Sequence, residues 1–407
     1  MIQRKACRFR LYPTPGQRQL LVQYAGACRF IYNLALEQRR DWYRPGRKFS
    51  YASQCRELTA LRQEYDWLKA VPAQALQQAL KDLDHAYRNW WAGRAAAPRP
   101  RRRSGDQGFR FPDPSHLDIK RTGRRSGMLK LPKIGWIRFR GWRPLPGQIR
   151  NVTITGLADG WYAAVQCERD VDAPQVENRS AIGIDLGVAV FAAMSDGRHV
   201  APANAGRKTL KAMKRAQRAL ARKRRGSINR RKAVRRVARL HRRIVNIRCD
   251  FLHKISTSIA KSHGMVVMEA LQVGNMSASA KGSVSQPGRR VRQKAGLNRA
   301  ILDQGWSRFK ALLRYKLIDR GGELIEVRPA YTSQTCAACG VVDAGSRRSQ
   351  AVFACTGCGH EDNADVNAAR NILRLGLEQR RMDNALQPVE GHRPERPAEA
   401  GTTRRAA

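Results

Sequence analysis

Ile182-Gly183-Ile184-Asp185-Leu186-Gly187 is the stretch on which the reading of this chain turns. It lies in a nearly continuous apolar run from Ala181 to Ala193, the pattern of strands buried on both faces of a sheet. A carboxylate in such a run is costly unless a cation partners it, either a basic side chain or a metal ion. The situation recurs at Met265-Val266-Val267-Met268-Glu269, a second short apolar strand that ends on an acid. A third acid, Asp365, opens a helix in Asn363-Ala364-Asp365-Val366-Asn367-Ala368-Ala369-Arg370-Asn371. Taken singly, each acid is better explained as a helix cap or an ion-pair member.

Together they change the reading. Two acids ending neighbouring buried strands, with a third on a later helix, offer the hard oxygen ligands that two Mg²⁺ ions need for phosphodiester hydrolysis, with Mn²⁺ as a substitute. The order strand Asp, strand Glu, late helix Asp is that of an RNase H-like fold. Asp185, Glu269 and Asp365 are therefore the candidate catalytic magnesium ligands.

Seven residues before Asp365 a four-cysteine cluster ends. Cys336-Ala337-Ala338-Cys339 and Cys355-Thr356-Gly357-Cys358 are two knuckles, each followed by glycine and separated by the 15 residues from 340 to 354. Doubled CxxC knuckles at this spacing predict a zinc ribbon, whose four thiolates close a tetrahedral shell and leave no open position for catalysis. A redox role for either pair is the competing reading, and thioredoxin-type motifs do not come doubled. The other five cysteines, Cys7, Cys28, Cys55, Cys167 and Cys249, are scattered singly and read as buried free thiols in a reducing compartment.

The chain of 407 residues is 42% hydrophobic, enough for two or three domains. Its 78 Lys and Arg against 32 Asp and Glu leave a net charge of +46, which implies a polyanionic partner. No acid occurs between Gly197 and Cys249, while Arg207 to Arg243 holds 18 Lys or Arg. Helical spacing survives there, and a turn at Gly226-Ser227 predicts two antiparallel helices with a cationic polar face lying along a phosphate backbone. Arg222, Lys223, Arg224, Arg225, Arg230 and Arg231 are its candidate nucleic-acid contacts. Residues 1 to 11 alternate charged and apolar positions, which matches neither a signal peptide nor a spanning helix, so a cytoplasmic, nucleoid-associated protein with no membrane partner is expected.

Elsewhere, periodicity predicts a helix leading through Leu20, Tyr24, Cys28 and Ile31, and another from about Pro72 to Trp91. Residues 94 to 127, rich in Arg, Pro, Gly and Ser, read as an extended basic segment, and Leu129 to Gln166 as short strands. A Gly/Ser/Lys-rich loop is expected from Gly274 to about Gly296, a helix from Trp306 to Leu317, a strand from Glu323 to Val327 and a helix from about Ala364 to Leu377.

At this point the chain resembles TnpB, the transposon-encoded RNA-guided nucleases related to type V CRISPR effectors. The resemblance rests on Arg10-Leu11-Tyr12-Pro13-Thr14, Cys28-Arg29-Phe30-Ile31-Tyr32-Asn33, Gly183-Ile184-Asp185-Leu186-Gly187, Asp250-Phe251-Leu252-His253-Lys254, Glu269-Ala270-Leu271, Gly305-Trp306, Tyr331-Thr332-Ser333-Gln334-Thr335-Cys336, and Cys358 through Ala369. It implies a guide RNA derived from the transposon end, a short adjacent motif read on double-stranded target DNA, and cleavage at one RuvC site on which Asp185, Glu269 and Asp365 fall. Many members carry Asp-Arg-Asp where this chain has Asn363-Ala364-Asp365, so the last acid is kept and the Arg lost. The resemblance also puts recognition of the adjacent motif in the N-terminal module. Tyr51 and Gln77 are candidate base contacts there, with solvated helix polarity as the plain alternative.

The expected architecture is α/β and multidomain. It has an N-terminal β-barrel (wedge) over 1–170 with an inserted helical recognition module at about 14–127, then a linker at 171–179. A RuvC-like nuclease domain follows over 180–330 and 361–378, with a basic hairpin at 207–262, a zinc ribbon at 331–360 and a disordered tail at 379–407. Two other functions use the same features: a transposase that joins strands with these acids, and a non-catalytic nucleic-acid-binding regulator of transposition.

Overall fold

The computed structural model describes residues 2–41, 49–103, 107–172, 174 and 180–386. By contact the chain divides into two units, Met1–Ala173 with Lys211–Arg243, and Pro174–Leu210 with Ile244–Ala407.

The first unit runs β1 (Ile2–Tyr12), α1 (Pro15–Asp41), α2 (Tyr51–Glu64), α3 (Asp66–Lys69), α4 (Ala73–Trp91), β2 (Gln107–Phe111), β3 (Asp118–Gly123), β4 (Ser126–Leu131), β5 (Gly135–Arg140), β6 (Gln148–Leu157) and β7 (Gly160–Asp170). Its strands form one antiparallel sheet in the order β2-β6-β7-β1-β5-β4-β3. β1 spans two partners, pairing β7 from Ile2 to Leu11 and β5 from Arg10 to Tyr12. Alternate residues, among them Phe9, Leu11, Phe111, Phe139, Ile154 and Val165, face a core shared with Leu21, Tyr24, Leu76 and Leu80 of α1 and α4. This two-residue period is why charged residues alternate with apolar ones in β1. Two features depart from the sequence reading. Part of the 94–127 segment is strand, because Phe109 and Phe111 alternate inward beneath a composition dominated by Arg, Pro and Gly. Helix α2 was not expected, since it buries only Gln54 and Leu58 and shows little apolar periodicity; Ser50 and Ser53 fix its start with a capping box.

The second unit holds β8 (Ala181–Asp185), β9 (Ala192–Met194), β10 (His199–Val200), α5 (Ala205–Ala221), α6 (Ile228–Ser262), β11 (Met265–Glu269), α7 (Val273–Met276), α8 (Val291–Gln304), α9 (Trp306–Ile318), β12 (Glu323–Val327), β13 (Val352–Ala354), β14 (Glu361–Asn363) and α10 (Ala364–Leu386). Its five-stranded sheet has the order β10-β9-β8-β11-β12, with β11 parallel to both β8 and β12 and β9 antiparallel to β8. Both faces are covered. Ile182, Ile184, Val266 and Met268 pack against Leu252, Phe309 and Leu313 on one side, and Met265 and Val267 against Ile372 of α10 on the other. The distal parts of α5 and α6, residues 211–243, group with the first unit, and Gly226 makes their turn at φ 84°.

Helix α8 begins inside the expected 274–296 loop; it buries only Ile301 and Gln304, so no apolar stripe announced it. Helix α10 continues to Leu386, so residues 379–386 are helical where a disordered tail was expected, and 387–407 lie outside the described residues. Most of the expected 171–179 linker also lies outside them. No helix among the described residues is long and apolar enough to cross a membrane.

Candidate active site

β8 and β11 run side by side in parallel, Met268 against Ile184, so their last residues, Asp185 and Glu269, emerge together at one end of the sheet. Asp365 stands in the first turn of α10, where Asn363 Oδ1 accepts from the Asp365 and Val366 amides at 3.0 and 3.2 Å and caps the helix. The chain thus uses Asn at the capping position, where its amide oxygen does the capping without a carboxylate.

Helix α10 reaches the sheet through glycine. A Cβ on Gly183 would stand 2.1 Å from Ala369 O, and one on Gly376 would stand 2.4 Å from Val267. The glycine two residues before Asp185 therefore sets how closely the helix bearing Asp365 approaches the strand bearing Asp185.

The Asp185 carboxyl registers both of the other acids. Burial, then the charges of Glu269 and Asp365, push the Asp185 carboxyl up to about 7 from the usual 3.8, against an opposing pull from Arg347. Burial also raises Glu269, and the Thr332 hydroxyl, donating to Glu269 Oε1 at 2.6 Å, opposes that rise. Arg347 Nη2 lies 3.3 Å from Asp365 Oδ1. Like charges gathered in a half-buried site call for a cation, and carboxylate oxygens are the donors that suit a hard divalent ion. The donor set fits magnesium chemically.

The cysteine cluster is tighter. The ligand atoms of Cys336, Cys339, Cys355 and Cys358 all lie within 4.8 Å of one another, the one such group of three or more among the described residues. Cys336 Sγ is 3.7 Å from Cys358 Sγ and Cys339 Sγ 3.6 Å from Cys355 Sγ, close to the roughly 3.8 Å edge of a tetrahedron with 2.3 Å zinc–sulfur bonds. The amides of Cys358 and Gly357 donate to Cys355 Sγ and hold that thiol down at about 6. Ala364 is fully buried against Cys336, Phe353 and Cys355, so the helix carrying Asp365 begins inside the ribbon's core.

Four residues of this site, Thr332, Asn367, Asn371 and Arg347, were given no role in the sequence reading. Asn367 and Asn371, one turn apart on α10 and both buried, donate to Thr335 O at 2.8 and 2.6 Å, and Asn371 also to Thr332 O at 3.1 Å. Asn367 Oδ1 accepts from the Ala337 amide at 2.9 Å. One segment, 332–337, is thereby bonded to α10, to Glu269 through Thr332, and to the thiol cluster through Cys336. Two amides four apart on an otherwise apolar helix face were the available signal. Arg347, the fourth, sits between the knuckles, just past a single 3₁₀ turn at Ala344–Ser346.

The expected nucleic-acid residues are spread differently. Arg222, Lys223, Arg224, Arg225 and Arg231 are exposed around the hairpin turn. Arg230 instead donates to Leu220 O and Lys223 O at 3.2 Å, holding the end of α5. Tyr51 opens α2 half-buried against the first unit's core and bonds Cys55, while Gln77 on α4 is half-buried with no hydrogen bond among the described residues.

The family model OrfB_IS605, described as "Probable transposase", matches residues 164–280, a "Cas12f1-like, TNB domain" model matches 306–372, and a "Helix-turn-helix domain" model matches 1–48. InsQ of Escherichia coli (strain K12), named as an RNA-guided DNA endonuclease, is 44% identical over 375 residues, 91% of this chain and 92% of its own. A Streptomyces pristinaespiralis protein with the same description is 33% identical over 395 residues, 95% of this chain and 92% of its own. The fold is similar to that in a cryo-EM structure of a Cas12f1–sgRNA–target DNA complex, with a TM-score of 0.56 at 13% identity, across 91% of this chain and 98% of that one. Identity sustained over so much of InsQ, together with the OrfB_IS605 match, means that the protein belongs to the TnpB family.

Proposed function

We propose that the protein is a guide-RNA-directed DNA endonuclease of a transposable element, cutting next to a short adjacent motif at a RuvC-type site of Asp185, Glu269 and Asp365. The observation that carries this is the pair of acids ending adjacent parallel strands, with Asp185 feeling the charges of both Glu269 and Asp365. The strand order and directions of the second sheet support an RNase H-like core, and β1 bridging β5 and β7 supports a partly open wedge barrel. Asp185, Glu269 and Asp365 would hold two Mg²⁺ ions, whose chemistry there would be to activate water and stabilise the leaving oxygen. Thr332 fixes one oxygen of Glu269, and the capped start of α10 fixes Asp365. Arg347 neutralises part of the acids' charge and would offer a guanidinium to a phosphate bound beside Asp365. The four cysteines would hold one structural Zn²⁺, and the network through Asn367 and Asn371 would pass the ribbon's rigidity to both Glu269 and Asp365. The hairpin tip would lie along guide RNA or heteroduplex phosphates, with Tyr51 and Gln77 near the adjacent motif.

The test is purification with co-purifying RNA, sequencing of that RNA, and incubation with matching duplex DNA and Mg²⁺. Guide-dependent double-strand breaks, abolished by Asp185→Ala, Glu269→Ala or Asp365→Ala with RNA binding retained, are expected. Joined strands would establish a transposase instead, and absence of any metal-dependent product with all acids intact would establish a binding protein.

A further inference from the structure

The first unit contains a cleft of about 320 Å³ that the cleavage chemistry does not use. It is walled by α1, α4, β2 and β6, and four arginines, Arg29, Arg101, Arg102 and Arg110, line it against one carboxylate, Asp82. Asp82 is already committed, 3.1 Å from Arg101 Nη2. Arg29, Arg102 and Arg110 have no carboxylate within ion-pair distance among the described residues.

The cleft is built and not merely basic. Asn33 holds the Arg101 backbone from both sides, donating to its carbonyl at 3.0 Å and accepting from its amide at 2.8 Å. The Arg101 guanidinium lies 3.9 Å from the Tyr32 ring centroid, so the chain entering the cleft is fixed at three points on α1 and α4. Arg29 is one helical turn before Asn33 on the same face. Across the cleft, Arg110 Nε is tethered to Thr153 Oγ1 at 3.3 Å, which leaves the two outer nitrogens of its fork for another acceptor. Guanidinium forks around a concavity of this volume are suited to an oxyanion; Arg101 and Arg110 are already held in place and lose little side-chain freedom on binding, while Arg29 and Arg102 have their forks unengaged among the described residues. Neutral donors and acceptors for a sugar or base edge stand beside them in Thr155 and Gln107.

We propose that this cleft is a phosphodiester-binding subsite, which seats one backbone phosphate of a nucleic acid and its flanking nucleotide, remote in sequence from the cleavage acids. Guide RNA and target DNA share that chemistry. The assignment rests on the nucleic-acid reading above, but it concerns binding and is measured without cleavage.

The experiment uses the full chain carrying Asp185→Ala, with fluorescence anisotropy against a single-stranded RNA and a duplex DNA, each over a series of salt concentrations. Arg29→Gln/Arg102→Gln removes two forks that have no structural bond, and Arg56→Gln/Lys81→Gln makes the same charge change in the same unit away from the cleft. The cleft variant is expected to weaken at least one probe about tenfold, with the slope of log affinity against log salt falling by about 0.7 to 0.9 for each lost phosphate contact. The control pair is expected to do much less, and Arg29→Lys/Arg102→Lys to keep the slope while losing part of the affinity. Loss on RNA alone assigns the subsite to the guide, and loss on DNA alone to the target. Unchanged affinity and slope on both probes, or an equal fall in the control pair, overturns the proposal. Wild-type protein that fails to cut any DNA would sink the nuclease reading and leave this result standing.

Discussion

Gly183→Ala is expected to disable cleavage without touching any acid. The added methyl would lie 2.1 Å from Ala369 O and 2.8 Å from both Leu373 N and Leu373 Cβ, all on α10. Ordinary van der Waals contact begins near 3.4 Å, so helix and strand must part by about 1.3 Å along that direction. The nearest atoms are backbone, so no rotamer change relieves the clash. Overpacking of this kind costs about 1–3 kcal/mol. The larger effect falls on geometry, because Asp365 rides on α10 and Asp185 on β8, and a 1 Å error in placing a catalytic group costs about 10²-fold in rate. Single-turnover cleavage, with thermal unfolding measured in parallel, is the assay. The expected result is a rate about 10²-fold lower in protein that remains folded and RNA-bound, while Gly16→Ala, with nothing within 4 Å of its added carbon, cleaves normally. A Gly183→Ala protein that cuts within twofold of wild type would refute the idea that close helix approach positions the acids.

Asp185→Asn is expected to stabilise the metal-free protein in a pH-dependent way. A folded-state value near 7 against 3.8 means that the native state favours the neutral acid, so wild type loses stability relative to the variant as pH rises from about 4 to about 7, by up to about 4 kcal/mol. Denaturant titrations across that range check this, and Mg²⁺ should shrink the gap; a pH-independent difference would contradict it. Arg347→Ala is expected to slow cleavage by about 10–10²-fold at unchanged guide affinity, with Lys restoring only part because it lacks the planar fork, which a kinetic split into binding and chemistry measures. Cys355→Ser should lower bound zinc by elemental analysis and cleavage together, with added Mg²⁺ giving no rescue; zinc-free protein cutting at the normal rate would separate ribbon from active site.

The parts of the site legible in the sequence are those where a residue breaks its local rule. Asp185 and Glu269 are charges in runs that are otherwise buried on both faces, and the cysteines recur at a spacing that no secondary structure demands. Arg347 breaks no rule. In a chain with 78 basic residues an arginine in a polar loop carries no signal, and only the fold brings it within 3.3 Å of Asp365. The same logic separates the elements: β8 and β11 were visible because both faces are apolar, whereas α2 and α8 bury two residues each, α2 starting on a capping box and α8 bonding the carbonyls of 276–278 through Lys294 and Asn298. Thr332 was quoted in a motif, yet its role depends on a partner 63 positions away.

The buried asparagines explain why the ribbon and the acids are adjacent in the chain. A carboxylate pushed up to about 7 is costly to ionise where it sits, and a cation arriving at a fixed place would offset that cost. Fixing that place takes a rigid support for Glu269 and Asp365 at once, and those residues belong to a strand and a helix 96 positions apart. Segment 332–337 touches both, through the Thr332 hydroxyl on one side and Asn367 and Asn371 on the other. A polar segment of six residues has no apolar core of its own to hold it, but Cys336 near its end would be tied by a metal to three other thiols. Metal at the thiols would thus restrain the carboxylates through hydrogen bonds that bypass the sheet, and the ribbon's position seven residues before Asp365 follows from that geometry.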